Sequence, residues 1–564
     1  MKKSYLLIIA AGLFCLAACN KEMENTETPE SPDSSKMITE TITASLGSDT
    51  KVTIADGGGF AWTAGDDIAV HVSNESGSHK YVVTTSGASA AAASASFTVS
   101  YEEGYSRDAF AVYPSTIVAT DAANYGQEGV ALDVTLPNTY TLDEVSGTTT
   151  PSPMIADNTG SGWVFKHLCG LLRLSISGIP ADATQLRIGF NGRKVSGDFA
   201  IPMPVAADGS STITSIDGTP GTDDYIWVTG LSSVTSVTIT LPLPTGVAYT
   251  GLSIVACDVK KKPLQAQLTA FTYTASNAHG KKVSSELTLD PYGFSIGGGT
   301  QVKFASGNLQ YQAKGDDEKA HWRFAAHQYD YIGEGNTNIG SEYSGWIDLF
   351  GWGTSGWENT DDSWINYQPW STDASDHSGD HPNNKYGYGP EYDAEGDNNN
   401  LTGTNAKGDW GVNNIGDSWR TPTKAECIYI FSSRYISRYA LGRIDLGDSK
   451  YINGLFVFPD GYVHPDGLPV LTYINKSWYY TNNTFNISQW EQMETAGVAF
   501  LPAAGQRDGK TIAHLNNRGR YWSTTSTSPN GAYPVYFTPG YFKPATESGH
   551  VRYIGYSIRL IRNL

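Results

Sequence analysis

At 564 residues, with 17% charged and 12% aromatic side chains and 60 glycines, the chain is too long for one core and suggests about three or four domains. This balance belongs to turn-rich, strand-rich extracellular chains and excludes a coiled coil or a disordered polymer. The formal net charge of −19 repels phosphate backbones, so no nucleic-acid partner is expected.

Lys2 and Lys3 precede an apolar run from Tyr5 to Leu16, too short to span a bilayer, and then Leu16-Ala17-Ala18-Cys19. These are the charged, apolar and small-residue regions of an export signal over residues 1–18. A Cys directly after small residues resembles the lipobox of bacterial lipoproteins, which implies acyl chains on Cys19 and mooring in the outer membrane; the alternative is an ordinary secretory signal. Residues 19–36 hold Glu22, Glu24, Glu27, Glu30, Asp33, Pro29 and Pro32 and almost nothing apolar, which predicts a disordered acidic tether. Acidic residues close behind the lipid-bearing Cys resemble the surface-export signal of Bacteroidota lipoproteins, which implies outward exposure. Cys169, Cys257 and Cys427 remain, enough for at most one disulfide, and whether Cys169 pairs with Cys257 stays open.

From Met37 the chain alternates, with Ile38, Ile42, Ala44 and Leu46 on one face and Thr39, Thr41, Thr43 and Ser45 on the other, the period of a half-buried strand. The same period returns at Leu172, Leu174 and Ile176 and at Val237, Ile239 and Leu241. Short strands between Gly, Asp, Asn and Ser clusters over some 250 residues predict two tandem antiparallel β-sandwiches, 37–157 and 158–290, with the break near 148–162. Lys260, Lys261 and Lys262, just before Pro263, read as a solvated hairpin tip.

Lys51-Val52-Thr53-Ile54 and Trp62-Thr63-Ala64-Gly65-Asp66-Asp67-Ile68-Ala69-Val70 resemble the opening of the fimbrillin family of Bacteroidota. Ala111-Val112-Tyr113-Pro114-Ser115, Leu136-Pro137, Pro153-Met154, Phe165-Lys166-His167 and Val195-Ser196-Gly197-Asp198-Phe199 continue the likeness over about residues 40–285. The resemblance implies transthyretin-like sandwiches and, in polymerising members, assembly with other fimbrillin subunits by strand donation. A strand donated into a groove satisfies unpaired backbone groups and fills an apolar slot. In those members a segment is clipped after a basic residue. Lys36 and Lys51 are the positions here that match, the alternative being that neither is cut. Trp62, Asp66 and His167 read as fold determinants.

Beyond Asp290-Pro291-Tyr292-Gly293 the composition changes, since eleven of the fourteen Trp lie there. Helix signals appear, a capping box at Thr423 and Glu426 and another at Ser488 and Glu491. Strands are predicted over 301–306, 500–503, 521–525 and 554–561, the last with Ile554, Tyr556, Ile558 and Leu560 on one face, so residues 291–564 are expected to be α+β. Gly307-Asn308-Leu309-Gln310-Tyr311, Trp346-Ile347-Asp348-Leu349-Phe350-Gly351-Trp352-Gly353, Trp419-Arg420-Thr421-Pro422-Thr423 and Tyr521-Trp522-Ser523-Thr524-Thr525 resemble the major paralogous modules related to the C-type-lectin-like and formylglycine-generating folds. That resemblance implies a C-type-lectin-like domain whose terminal strands pair. The whole chain is thus expected to be mainly β, two tandem transthyretin-like sandwiches followed by an α+β C-type-lectin-like domain.

The long stretch 343–409 concentrates aromatic and acidic residues. Trp357, Trp364, Tyr367, Trp370, Tyr386 and Tyr388 lie amid Asp361, Asp362, Asn383 and Asn384, a mixture in which flat rings stack on sugar C–H faces and oxygens take the hydroxyls. Trp346 and Trp352 read as pins holding the loop to the core. Asp373, Asp376 and Asp380 make a candidate Ca2+ site, and Gly379 and Pro382 disfavour the helix that a His377/His381 zinc site needs. No phosphate loop, HExxH helix or G-x-S-x-G elbow occurs, and no catalytic residue is expected. The chain reads as a surface-anchored fimbrillin-like adhesin that binds a glycan or a host or bacterial surface protein, with a structural fimbrial subunit and a carbohydrate-active enzyme as alternatives.

Overall fold

The computed structural model describes residues 36–46, 61–118, 131–146, 152–156, 162–202, 214–215, 223–276, 280–312, 321–337, 345–355, 400–416, 418–436, 438–508, 511–528, 531–547, 550–552 and 554–564. The protein is mainly β, built from many sheets and a few short helices. The expected export signal, the expected tether as far as residue 35, Cys19 and Lys51 lie outside the described residues.

The alternating segment Met37–Leu46 is a strand with Ile42 and Ala44 buried and Thr39, Thr41 and Thr43 exposed. It sits inside a seven-stranded sheet, antiparallel to Ser94–Glu102 and parallel to Trp163–His167. Glu40 shares the inward parity. A carboxylate there needs partners, and it accepts from Tyr101 Oη and from Arg107 Nε at 2.9 Å. The core beneath is centred on Trp62, 1% exposed, which meets Phe97, Tyr113 and Phe165 edge-on at 5.2–5.3 Å. Asp66 accepts from the Thr63 amide, the Thr63 hydroxyl and Tyr113 Oη, tying the turn after Trp62 to the next strands. His167 is buried, its Nδ1 3.1 Å from Ser152 Oγ.

A second core packs Leu172, Leu174 and Ile176 of Cys169–Ser177 against Leu186, Ile188, Ile226 and Ile254. Cys169–Ser177 is flanked by Ser236–Pro244 and Lys281–Glu286, facing the five-stranded sheet Pro263–Thr269, Leu252–Cys257, Gln185–Gly189, Tyr225–Thr229 and Thr139–Thr141.

Strand pairing crosses the break expected between 157 and 158. Met154–Ala156 and Trp163–His167 flank that point, pair with each other (Met154↔His167) and both belong to the first sheet. Conversely Ala131–Leu136 pairs with Gly197–Pro202, and Thr139–Thr141 runs parallel to Tyr225–Thr229. The following helix α1 (Leu142–Ser146) plants Val145 in the second core. Periodicity marks a strand but not its partner, so a chain that interlocks its two halves does not show this in its alternation.

In the last 274 residues, 291–564, Thr300–Phe304 pairs with the final strand Ile561–Asn563, so the two ends of the region meet. Helix α2 spans Trp410–Asn414 and helix α3 spans Lys424–Ile428, the latter started by the Thr423/Glu426 capping box. The second box lies two residues before the expected one. Helix α4, Ile487–Thr495, is capped by Asn486 with Gln489, because the strand Thr484–Asn486 ends there and the Asn486 side-chain Oδ1 accepts from the Gln489 backbone amide. Tyr556, Ile558 and Leu560 share the core as predicted, and Ile554 packs at its edge. The regular strand is confined to Ile561–Asn563, since residues 555–557 bridge three separate segments at Arg507, Phe350 and Tyr521.

Cys169, Cys257 and Cys427 are buried free thiols, and burial raises all three, Cys257 to about 12. Between the sheets around the second core and the C-terminal region, Val463 packs with Trp227, Val255, Cys257, Ala266 and Leu289. The Lys260–Lys262 tip correspondingly is not merely solvated: Lys261 Nζ bridges Asp466 at 3.0 Å.

Candidate functional site

The predicted ligand-binding residues Trp357, Asp361, Asp362, Trp364, Tyr367, Trp370, Asn383, Asn384, Tyr386 and Tyr388 lie outside the described residues, as do Asp373, Asp376 and Asp380. Of the pins, Trp352 is buried and donates Nε1–H to the Ser523 carbonyl at 2.8 Å, and Trp346 is half-buried under the Arg323 guanidinium. Lys36 is exposed at the head of the first strand, its carbonyl accepting from the Glu103 amide at 2.7 Å. Among the described residues no group of three or more His, Cys, Asp or Glu is placed to hold a metal ion, and no helix is long and apolar enough to cross a membrane.

The described surface instead presents an aromatic shelf on the loop between Lys450–Val457 and α4. The Tyr473 and Trp478 rings stack at 5.0 Å, 11° from parallel, and Tyr479 meets Trp478 edge-on at 5.7 Å. All three stay wet, at 41%, 44% and 57% exposure. Contiguous exposed apolar groups of this kind often mark recognition surfaces.

Two asparagines make this loop rigid. Asn475 Oδ1 accepts from the Arg438 and Tyr439 amides, while its own amide donates to the Tyr439 carbonyl. Asn483, 3% exposed, donates Nδ2 to the Leu441 and Thr472 carbonyls and accepts the Thr472 amide. Tyr480, next after the shelf, turns inward and donates its hydroxyl to the Asn517 carbonyl. These anchors hold Tyr473 at φ +53°, a left-handed conformation that costs an aromatic residue about 1–2 kcal/mol.

Polar groups border the shelf. The Gly540 amide donates to the Trp478 carbonyl, which brings up Tyr541, whose hydroxyl donates to Glu547 at 3.2 Å. Behind it Arg520 lies over Tyr536, and His550 Nδ1 stands 2.8 Å from Tyr556 Oη. Burial and the Arg520 charge push the His550 imidazole down, against the pull of Glu547, which favours its neutral form. The arrangement offers flat apolar faces edged by a carboxylate, hydroxyls and a guanidinium, suited to stacking and hydrogen bonding rather than bond cleavage. Its sequence signal was three aromatic residues within seven after the turn-rich His464-Pro465-Asp466-Gly467, a signal overshadowed by the denser Trp run of 346–370.

No family model matches the sequence, and no curated protein matches it. The chain is distantly similar in structure to a candidate cell adhesion protein from Bacteroides ovatus, at 12% identity over 44% of this chain and 94% of that one, TM-score 0.28. A fimbrial protein from the same organism is 10% identical over 93% of this chain and 98% of that one, TM-score 0.20. The C-terminally truncated tip fimbrial protein Mfa3 from Porphyromonas gingivalis is 10% identical over 42% and 82%, TM-score 0.20.

Proposed function

We propose that the chain is a surface-exposed adhesin of fimbrillin type, moored by acyl chains on Cys19, that attaches to a glycan through its C-terminal region. The reading is carried by the Tyr473–Trp478 stack, which is exposed yet fixed, with one of its residues held in a costly backbone conformation. Rigid Tyr and Trp faces give contact area at little entropic cost, which is why they dominate recognition surfaces. The test is a glycan array run with the full chain and with Trp478→Ala. A glycan bound by the parent and lost at least tenfold in the variant supports the reading; equal binding by both, or none by the parent, removes it.

A second reading, a fimbrial subunit assembled with other copies by strand donation, is favoured by the place of Met37–Leu46. It lies between Lys36 and Lys51 in sequence and between two partner strands in the sheet, so a cut after Lys51 that releases it leaves a slot over Phe97 and Phe165. Mass spectrometry of the cell-surface protein discriminates: an intact lipidated N-terminus excludes assembly by clipping.

A further inference from the structure

The Lys260–Lys262 run forms one wall of a cleft of about 520 Å³ where the sheets around the second core meet the C-terminal region, a volume within the range of small-ligand sites. The hairpin tip is fixed in shape. Asp258 Oδ1 accepts from the Lys260 and Lys262 amides at 2.8 and 2.9 Å, and Lys261 adopts a left-handed φ of +60°. Lys261 is neutralised by Asp466. Lys260 and Lys262, on either side of it, are exposed and make no ion pair among the described residues. Asp466 and Glu491 share the lining, so what sets this wall apart on a chain of net charge −19 is a pair of neighbouring ammonium groups with no carboxylate of their own.

The facing wall is α4, which presents Ser488, Glu491, Gln492 and Thr495 at one-turn intervals. Pro263, Pro465 and Val463 contribute to the floor. The two walls differ in chemistry, with cations on one side and hydroxyl, amide and carboxylate acceptors on the other. A ligand that satisfies both carries an anionic group at one end and several hydroxyls at the other.

We infer that the cleft binds a carboxylate-bearing saccharide of uronate type, its carboxylate between Lys260 and Lys262 and its hydroxyls against Ser488 and Gln492 of α4. None of the shelf residues Tyr473, Trp478 and Tyr479 lines it. The site therefore stands independently of the glycan-binding reading above.

The experiment is calorimetric titration of the full chain with trigalacturonate, with maltotriose as the neutral counterpart and oligoglutamate as the acidic peptide. The expected result is saturable trigalacturonate binding that weakens with added salt. It should fall at least tenfold in the Lys260→Ala/Lys262→Ala double variant and severalfold in Ser488→Ala/Gln492→Ala, and persist in Trp478→Ala. Neither lysine side chain makes an ion pair among the described residues, so the double variant should keep the parent melting temperature. Absence of trigalacturonate binding at millimolar concentration, or binding indifferent to the double variant, overturns the inference. Equal affinity for maltotriose or for oligoglutamate overturns the assigned ligand class. Loss in Trp478→Ala with retention in the lysine variant transfers the binding to the shelf and overturns the cleft.

Discussion

The Tyr435 ring covers the Cα of Gly251 so closely that a Cβ built there would stand 2.1 Å from its Cδ1. This contact is one of several that join the sheets around the second core to the C-terminal region: Arg438 reaches Asn191 Oδ1 at 3.4 Å, and Lys261 meets Asp466 across 205 residues of sequence. Gly251→Ala must therefore displace Tyr435, and overpacking of this kind costs about 1–3 kcal/mol. The expected outcome is a lower unfolding midpoint for the C-terminal region and faster proteolysis within 286–293. A variant with the parent's digestion rate and midpoint would show that the ring moves aside freely and does not couple the regions.

The left-handed backbone at Tyr473 separates what the shelf costs from what it does. Asn tolerates that conformation and a β-branched residue does not. Tyr473→Asn should leave stability unchanged or raise it by up to about 1 kcal/mol, whereas Tyr473→Val should lower it by about 1–2 kcal/mol. Both should weaken glycan binding, because both remove the ring that stacks on Trp478. Urea denaturation of the two variants checks the order; equal stabilities would mean that the strain is not borne at this residue.

Much of this architecture was legible in the sequence, and what was not has definite physical causes. The inward face of Met37–Leu46 and the burial of Tyr556, Ile558 and Leu560 follow from period-two alternation, and the Thr423/Glu426 box from side chains that can satisfy free amides. Glu40 breaks the apolar face because its partners Tyr101 and Arg107 are 61 and 67 residues away, beyond any local pattern. The exchange of strands across residues 157 and 158 is likewise a matter of pairing, which alternation does not encode. The aromatic shelf was visible only as composition, because its exposure depends on Asn475 and Asn483 gripping backbone far from the rings.

Glu40 also predicts how firmly the first strand is held. Its carboxylate is kept below the usual range by hydrogen bonds from Tyr101 and Arg107 against the opposing effect of burial, and in return burial and Glu40 raise the Tyr101 hydroxyl to about 12. Glu40→Ala should speed hydrogen exchange of the amides in Met37–Leu46 severalfold while leaving exchange in Cys169–Ser177 unchanged. Uniform acceleration in both strands would mean global destabilisation rather than a local clamp.

The same reasoning gives a pH dependence for the C-terminal region through Glu426. Burial pushes its carboxyl up, but the paired hydrogen bonds from Arg420 Nη1 and Nη2, both 2.7 Å, and the Thr423 amide and hydroxyl bring it below its ordinary value of 4.5. Arg420 in turn donates to Asn563 Oδ1 and exchanges backbone hydrogen bonds with Ile561, so the pair fastens α3 to the closing strand. A carboxyl that binds its proton less readily when folded stabilises the fold above pH 4.5, and that contribution disappears as pH falls through the lowered native value. Glu426→Gln keeps one capping oxygen and loses the charge, so it should cost about 1–2 kcal/mol at pH 7. The gap between parent and variant, read from urea unfolding at pH 7, 5 and 3, should hold from 7 to 5 and narrow toward 3. A gap that stays constant to pH 3 would place the effect in packing rather than in the Arg420 pair.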